Sequence, residues 1–431
     1  MAGSRRRRHR GRARSLQQGA ESSALADATL TSSEVTIVGS PSKNTCHASG
    51  STSLLSSEPH GFADLLDSLL HEIIDLFTSF HDFLAFIGTC RSWRAAVSSF
   101  PSAYTFSFPP VHLKPDGPYV PPHTGNIKPM LLSNCKWQLS EPSKKNLSLC
   151  CSVPQNTPDN MYYLGCSCGY LIFSYREHCI LVNVFTGTKV KPPKLPPNNE
   201  LGEFCGIGIL TAALSSPNSR LLLCSRTSMF EWQVGTNSWS EHALALERER
   251  ITQILLFNGD IVVFDSLMRL HTIRLAPQFS MQEVAIKWEF LPFDPLLVVC
   301  GDKLLMVHLS RSSDKLNGSY RFFKVFHLDF SVRPAKWVKM EKLDNQALFV
   351  SLDTRTPTFS CMSPERWGGK SNCIYVAKLF EDPDETWTAV ELGQPVYYDA
   401  GHAILYSSTF PHDYSLLCSL WVLPSSVYGS G

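Results

Sequence analysis

The chain has 431 residues, enough for two or three domains, and a formal net charge of +1. A balance so near zero names no polyanionic partner, and no run of 18 apolar residues is present to form a membrane-spanning helix. The fourteen cysteines are scattered without a Cys-x-x-Cys pair and the N-terminus has no apolar signal-peptide core, so reduced thiols in a cytosolic or nuclear protein are expected.

Residues 5–14 hold seven arginines (Arg5, Arg6, Arg7, Arg8, Arg10, Arg12 and Arg14) and no acid, which leaves a net charge of −6 for the rest. The positive charge therefore belongs to a tail. Nuclear import, an organellar transit peptide and a solvated tail without an address are all compatible with it. The expected location is nucleus and cytoplasm. No aromatic residues interleave the arginines, so no nucleic-acid partner is expected. From Ser15 to His60, 17 of 46 residues are Ser or Thr and none is aromatic. Such a stretch buries too little surface to offset its ordering entropy, which predicts a disordered leader over residues 1–60.

A helical module is predicted over 61–101. Between Leu65 and Phe77, polar residues fall only at 67, 68, 71, 72 and 75, one narrow stripe at 3.6 residues per turn. Phe83, Leu84, Phe86 and Ile87 mark a second helix, and Trp93 and Val97 a third that ends before Pro101. A unit of about 40 residues usually needs outside help to stay folded, so its surplus apolar surface predicts a partner.

These residues resemble an F-box, the adaptor-docking motif of SCF-type ubiquitin ligases. The resemblance is carried by Asp64-Leu65, Leu69-Leu70, Ile73-Ile74, Asp82-Phe83-Leu84 and Cys90-Arg91-Ser92-Trp93-Arg94. It implies docking of a Skp-type adaptor through Leu65, Leu69, Leu70, Ile73, Ile74, Leu84, Cys90 and Trp93. F-boxes usually open with Leu-Pro; here Leu66 stands in the proline position, where proline would favour the first helical turn.

A Pro-rich linker is expected over 102–130. From 131 to 431 the pattern is of short apolar runs between Pro, Gly, Asn and Ser clusters, such as Tyr170–Tyr175, Leu221–Cys224, Ile261–Phe264 and Leu296–Cys300. Runs this continuous predict strands covered on both faces. Trp239, Trp288, Trp337 and Trp387 lie 49, 49 and 50 residues apart, each after a strand and a polar turn, and Val190 continues the phase toward the N-terminus. A repeat near 50 residues made of short strands predicts a kelch-like β-propeller, with a pair of β-sandwiches as the rival. The fold class is thus mainly β with a small α domain.

The segments Asn183-Val-Phe-Thr-Gly187, Lys336-Trp337-Val338, Leu343–Phe349 and above all Ser360–Tyr375 resemble plant F-box proteins with a KIB-type, kelch-like C-terminal region. The resemblance implies a substrate-recognition subunit of a cullin-based ligase, with an unknown protein substrate on the propeller. From the residues themselves no catalysis, cofactor, metal or membrane partner is expected in this chain.

Three patterns imitate other chemistry. Gly165-Cys-Ser167-Cys-Gly169 matches the Gly-x-Ser-x-Gly elbow of hydrolases, but a predicted strand follows it where an elbow needs a helix. Gly368-Gly369-Lys370-Ser371 ends like a phosphate loop, yet the earlier glycine falls on Pro364. Cys150-Cys151 and Cys166-x-Cys168 are too tight for zinc, and Asp382, Asp384 and Glu385 lack calcium-loop spacing. A hydrolase using Ser167 and a propeller protein whose F-box no longer binds an adaptor remain the rival functions.

Overall fold

A computed structural model describes residues 65–98, 108–116, 135–143, 148–153, 161–197, 206–246, 249–290, 295–314, 318–351, 353–382, 385–395 and 419–424, with a few isolated positions between them. The arginine run and the leader lie outside the described residues.

Three short helices, α1 (Asp67–Asp75), α2 (Phe80–Thr89) and α3 (Arg91–Ser98), precede six β-sheets. The sheets are the blades of a six-bladed propeller. Blade 1 combines β1 (Val111–Asp116), β2 (Lys136–Ser140) and β3 (Ser148–Ser152) with the last strand, β25 (Leu420–Val422). Blade 2 is β4 (Tyr162–Ser167), β5 (Tyr170–Tyr175), β6 (His178–Asn183) and β7 (Lys189–Val190). Blade 3 is β8 (Ile207–Leu210), β9 (Arg220–Cys224), β10 (Ser228–Gln233) and β11 (Ser240–Ala243). Blade 4 is β12 (Ile251–Phe257), β13 (Asp260–Asp265), β14 (Leu270–Arg274) and β15 (Ser280–Glu283).

Blade 5 holds β17 (Leu296–Cys300), β18 (Lys303–Asp314), β19 (Gly318–Asp329) and β20 (Ala335–Met340), with β16 (Ile286–Lys287) added in parallel at its edge. Blade 6 departs from the pattern. Its strands β21 (Gln346–Ser351), β22 (Phe359–Met362), β23 (Cys373–Asp382) and β24 (Glu385–Glu391) stand in the order β22-β21-β23-β24, so β21 and β23 run parallel.

The predicted runs are the blade strands, and they are buried on both faces: Leu171, Ile172 and Phe173 of β5 are at most 1% exposed. Apolar clusters fill each gap between blades, where alternate side chains of neighbouring sheets meet. Gly165 has a role in this packing. A Cβ there would lie 2.5 Å from the Gly208 carbonyl oxygen, so only glycine lets β4 and β8 approach so closely.

Two expectations change. The stretch expected as linker contains β1, and Phe108 just before it is buried, so the propeller begins well before residue 131. The tryptophan period is also not the blade period. Trp239 directly precedes the outer strand β11, while Trp337 and Trp387 lie in the outer strands β20 and β24. Trp288 falls past β15, beside the extra strand β16, and packs against Trp337 at 6.2 Å. The inner strands β4, β8, β12 and β17 start 44 or 45 residues apart, shorter than the tryptophan step, so the phase slips at blade 4.

Candidate functional site

The apolar arc of α1 is two stripes. Leu70 and Ile74 point inward, 0% and 1% exposed, and share one continuous core with Phe80, Phe83, Phe86, Val97, Phe108 and blade-1 residues such as Leu113 and Trp137. Leu66, Leu69 and Leu76 form the second stripe with half-buried Ile73, and are 69%, 42% and 78% exposed. Leu69 and Ile73 lie in α1, and Leu66 and Leu76 are its N-cap and C-cap residues; the spacing of three, four and three keeps the four on one side. Burying a leucine side chain releases about 1.5–3 kcal/mol, so this stripe leaves a substantial driving force unused.

The module is seated on the propeller. Phe80 lies 6.0 Å from Phe108 and 5.2 Å from Phe185, in the loop after β6. Ser79 caps α2, its hydroxyl accepting from the Asp82 N–H at 3.3 Å. Glu141, at the end of β2 and 5% exposed, accepts from the His81 N–H at 2.6 Å and the Ser79 hydroxyl at 3.2 Å. A blade thus supplies the carboxylate for the N-terminus of a helix, where the helix dipole favours an anion. The expectation that the helical unit completes its core against a partner changes for the inner stripe, which is completed by its own propeller.

The turn between α2 and α3 accounts for the Cys-x-x-Trp element. Cys90 Sγ lies 3.0 Å from Ser92 Oγ, and that hydrogen bond, followed by the Trp93 N–H, holds the thiol below its usual range. Trp93 packs on Phe86 at 4.5 Å, while His71 Nε2 lies 2.9 Å from the Ala96 carbonyl oxygen and ties α1 to α3. Of the eight residues singled out from the sequence, Leu69 is exposed, Leu65, Ile73, Leu84, Cys90 and Trp93 are half-buried, and Leu70 and Ile74 are internal. Leu66 and Leu76, outside that set, are the most exposed leucines of the module. Their place in the 66-69-73-76 stripe was available from spacing alone; the part played by Glu141 had no signal in the sequence.

The imitating patterns resolve into structure. Ser167 ends β4, its hydroxyl donates to the Leu210 carbonyl at 3.0 Å, and β5 follows after a two-residue turn, so no strand–elbow–helix is built. In the Ser360–Tyr375 signature, a 3-10 helix (Pro364–Trp367) sets Trp367 against Phe349 at 6.0 Å and Tyr375 at 5.6 Å. A Cβ on Gly369 would meet the Trp367 ring at 2.1 Å, and the Lys370 N–H donates to the Tyr375 hydroxyl at 3.0 Å. The Gly-Gly-Lys-Ser turn therefore packs an indole, and a strand follows it. Among the described residues, no three His, Cys, Asp or Glu side chains gather as metal ligands would, and no helix is long and apolar enough to cross a membrane.

Such a chain is, by class, a six-bladed β-propeller carrying an N-terminal helical module with one uncovered apolar stripe. A family described as KIB1-4 beta-propeller matches residues 139–405, more than half of the chain, and the chain belongs to that family. An Arabidopsis thaliana protein described as "Putative F-box protein" is 22% identical over 343 residues, which span 73% of this chain and 86% of the relative. The resemblance to F-box proteins with a KIB-type propeller therefore holds. Two solved structures align as well: AztD of Citrobacter koseri (12% identical, 53% of this chain and 59% of that one, TM-score 0.29) and the S. cerevisiae assembly of Dbp5 bound to Nup159 and Gle1 (12%, 54% and 68%, TM-score 0.28). Overlaps at that score carry no weight for fold or function.

Proposed function

We propose that this chain is a non-catalytic substrate-recognition subunit of an SCF-type ubiquitin ligase. The helical module serves as the F-box and docks a Skp-type adaptor, and through it a cullin. The propeller holds a protein target, which other subunits ubiquitinate. The observation that carries this reading is the stripe of exposed Leu66, Leu69 and Leu76 with half-buried Ile73, on a helix already seated by its other face. Helix-in-groove recognition uses such a stripe at i, i+3 and i+7. Of the residues singled out from the sequence, Leu65, Leu69, Ile73, Leu84, Cys90 and Trp93 remain candidates for contact, joined by Leu66 and Leu76. Leu70 and Ile74 act beneath them as core.

The test is reconstitution of the full chain with a purified Skp-type adaptor and cullin on a sizing column. Co-elution of all three is expected, and separate elution would sink the reading. A second reading, a propeller interaction protein without adaptor binding, draws support from Leu66 in the proline position and from the burial of Leu70 and Ile74 on the propeller; separate elution together with retained target capture is its outcome. Arg5–Arg8 are proposed as an import signal. Their replacement by alanine is expected to shift a fluorescent fusion out of the nucleus, and an unchanged distribution would leave them a solvated tail.

A further inference from the structure

A ring of blades has one seam where distant parts of the chain meet, and here it runs along β1 and β25. Leu420, Trp421 and Val422 lie opposite Leu113, His112 and Val111. Trp421 is fully buried; its indole N–H donates to the Val350 carbonyl of β21 at 3.1 Å, and its ring meets Phe349 edge-on at 4.9 Å. The Ser351 hydroxyl adds a hydrogen bond to the Ser419 carbonyl at 3.0 Å. These contacts join blade 1 to blade 6.

Directly across the ladder from Trp421 sits His112. It is 0% exposed, its ring is 5.3 Å from the indole, and neither ring nitrogen has a hydrogen-bond partner. An imidazole left without partners costs more than an aliphatic side chain in the same place. Among the described residues packed around it there is no acid to pair with a cation. Trp421 faces it from β25, and Ser140 stands opposite on β2 with Gln138 two residues along the same face. From blade 6 come the Tyr375 phenol and the Trp387 indole, packed on Trp421. Among the described residues the charge that acts on the ring is Lys114, on the same face of β1, and it is positive. Glu141, at the end of β2, is engaged with α2 instead.

We propose that His112 is an acid-sensitive latch of the ring: its protonation places an unpaired cation in the seam and releases β25 and blade 1, with the helical module, from blade 6. The proposal does not depend on adaptor binding. Burial first, and Lys114 second, push the His112 pKa down to about 3. An imidazole freed into water takes up its proton near pH 6.5. Closure is therefore complete above that pH and weakens as pH falls toward 3, the opening equilibrium rising about tenfold per pH unit. His308 in blade 5 is also buried without partners, between Phe290 and Phe326, and serves as an internal control because acid opening there would not map to the seam.

The experiment is hydrogen exchange of the full chain between pH 7.5 and 5.0, corrected for intrinsic rates, on wild type, His112→Leu and His308→Leu. Peptides covering 111–116 and 420–422 are expected to lose protection about tenfold per pH unit below 6.5 in wild type and His308→Leu, with no such loss in His112→Leu. Undiminished protection of those peptides in wild type, or the same pH slope in His112→Leu, overturns the latch. Should His112→Leu not fold, the order of opening in wild type decides: the seam before blade 5 supports the latch, and simultaneous loss across all blades overturns it.

Discussion

In the propeller, strands such as β5 and β13 are near-continuous apolar runs, and the neighbouring blades bury them on both faces. The helix α1 has an apolar arc of comparable richness but is treated differently. One half, Leu70 and Ile74, is covered by its own chain, while the other half, Leu66, Leu69 and Leu76, faces water. Scattered surface leucines are ordinary; a row of them along α1 and its two flanking residues, beside a buried core, is the surface the proposed docking would use. The difference also shows that composition alone does not tell core from interface. That distinction is drawn by which residues the rest of the fold reaches.

The largest expected effect tests the covered side at the ring closure. Trp421→Ala removes the indole that links Val350, Phe349 and His112, and is expected to cost about 3–5 kcal/mol in chemical unfolding. A loss below about 1 kcal/mol would mean that the closing strand contributes little. Next, Leu70→Ala is expected to cost about 2–5 kcal/mol, because it leaves a cavity in the core shared by the module and blade 1. Aspartate at both 70 and 74 would therefore unseat the module itself, and lost adaptor binding in that variant would not distinguish contact from unfolding.

Acid should act on the covered side alone. Burial lowers the pKa of His112 to about 3 and that of His308 to about 4, and in each case a nearby lysine adds to the effect. Both histidines fold neutral and titrate near 6.5 when unfolded, so the unfolded chain binds more protons below that pH. The contribution of these histidines to the unfolding free energy from urea melts should be flat above pH 6.5 and fall below it, at up to about 1.4 kcal/mol per pH unit for each, with the midpoint following. A midpoint that does not move between pH 7.5 and 5.5 would remove both residues from the stability of the propeller. The smallest effect concerns Leu66. Its φ of −61° is already the value that proline locks, so Leu66→Pro is expected to gain about 0.4–1 kcal/mol, read as a small rise in melting temperature.

Much of the fold could be read in advance because β strands buried on both faces announce themselves as unbroken apolar runs. The run Tyr170–Tyr175 is β5, and Leu296–Cys300 is β17. Blade 6 was not legible: nothing local in Gln346–Ser351 or Phe359–Met362 says that the later strand takes the inner place. Closure by β25 was equally hidden, since three residues near the C-terminus find their partners some 300 residues away. The site was legible as a helix with surplus apolar surface, but not as two stripes, because only tertiary contacts from Phe80, Phe108 and blade 1 decide which half is core. Glu141 illustrates the same limit: a lone acid at a strand end becomes a helix cap only once α2 is laid against it.

The central claim is that the outer stripe of α1 is a docking surface and the inner stripe is not. It is tested most directly by measuring, on the same preparations, the affinity for a purified Skp-type adaptor and the unfolding free energy of wild type and of a Leu69→Asp, Leu76→Asp double variant of the full chain. Both residues are exposed, so stability should stay within about 0.5 kcal/mol of wild type. Adaptor affinity should fall by about 100-fold or more, since each charge would be carried into a dry contact. Wild-type affinity in a fully folded double variant would contradict the claim.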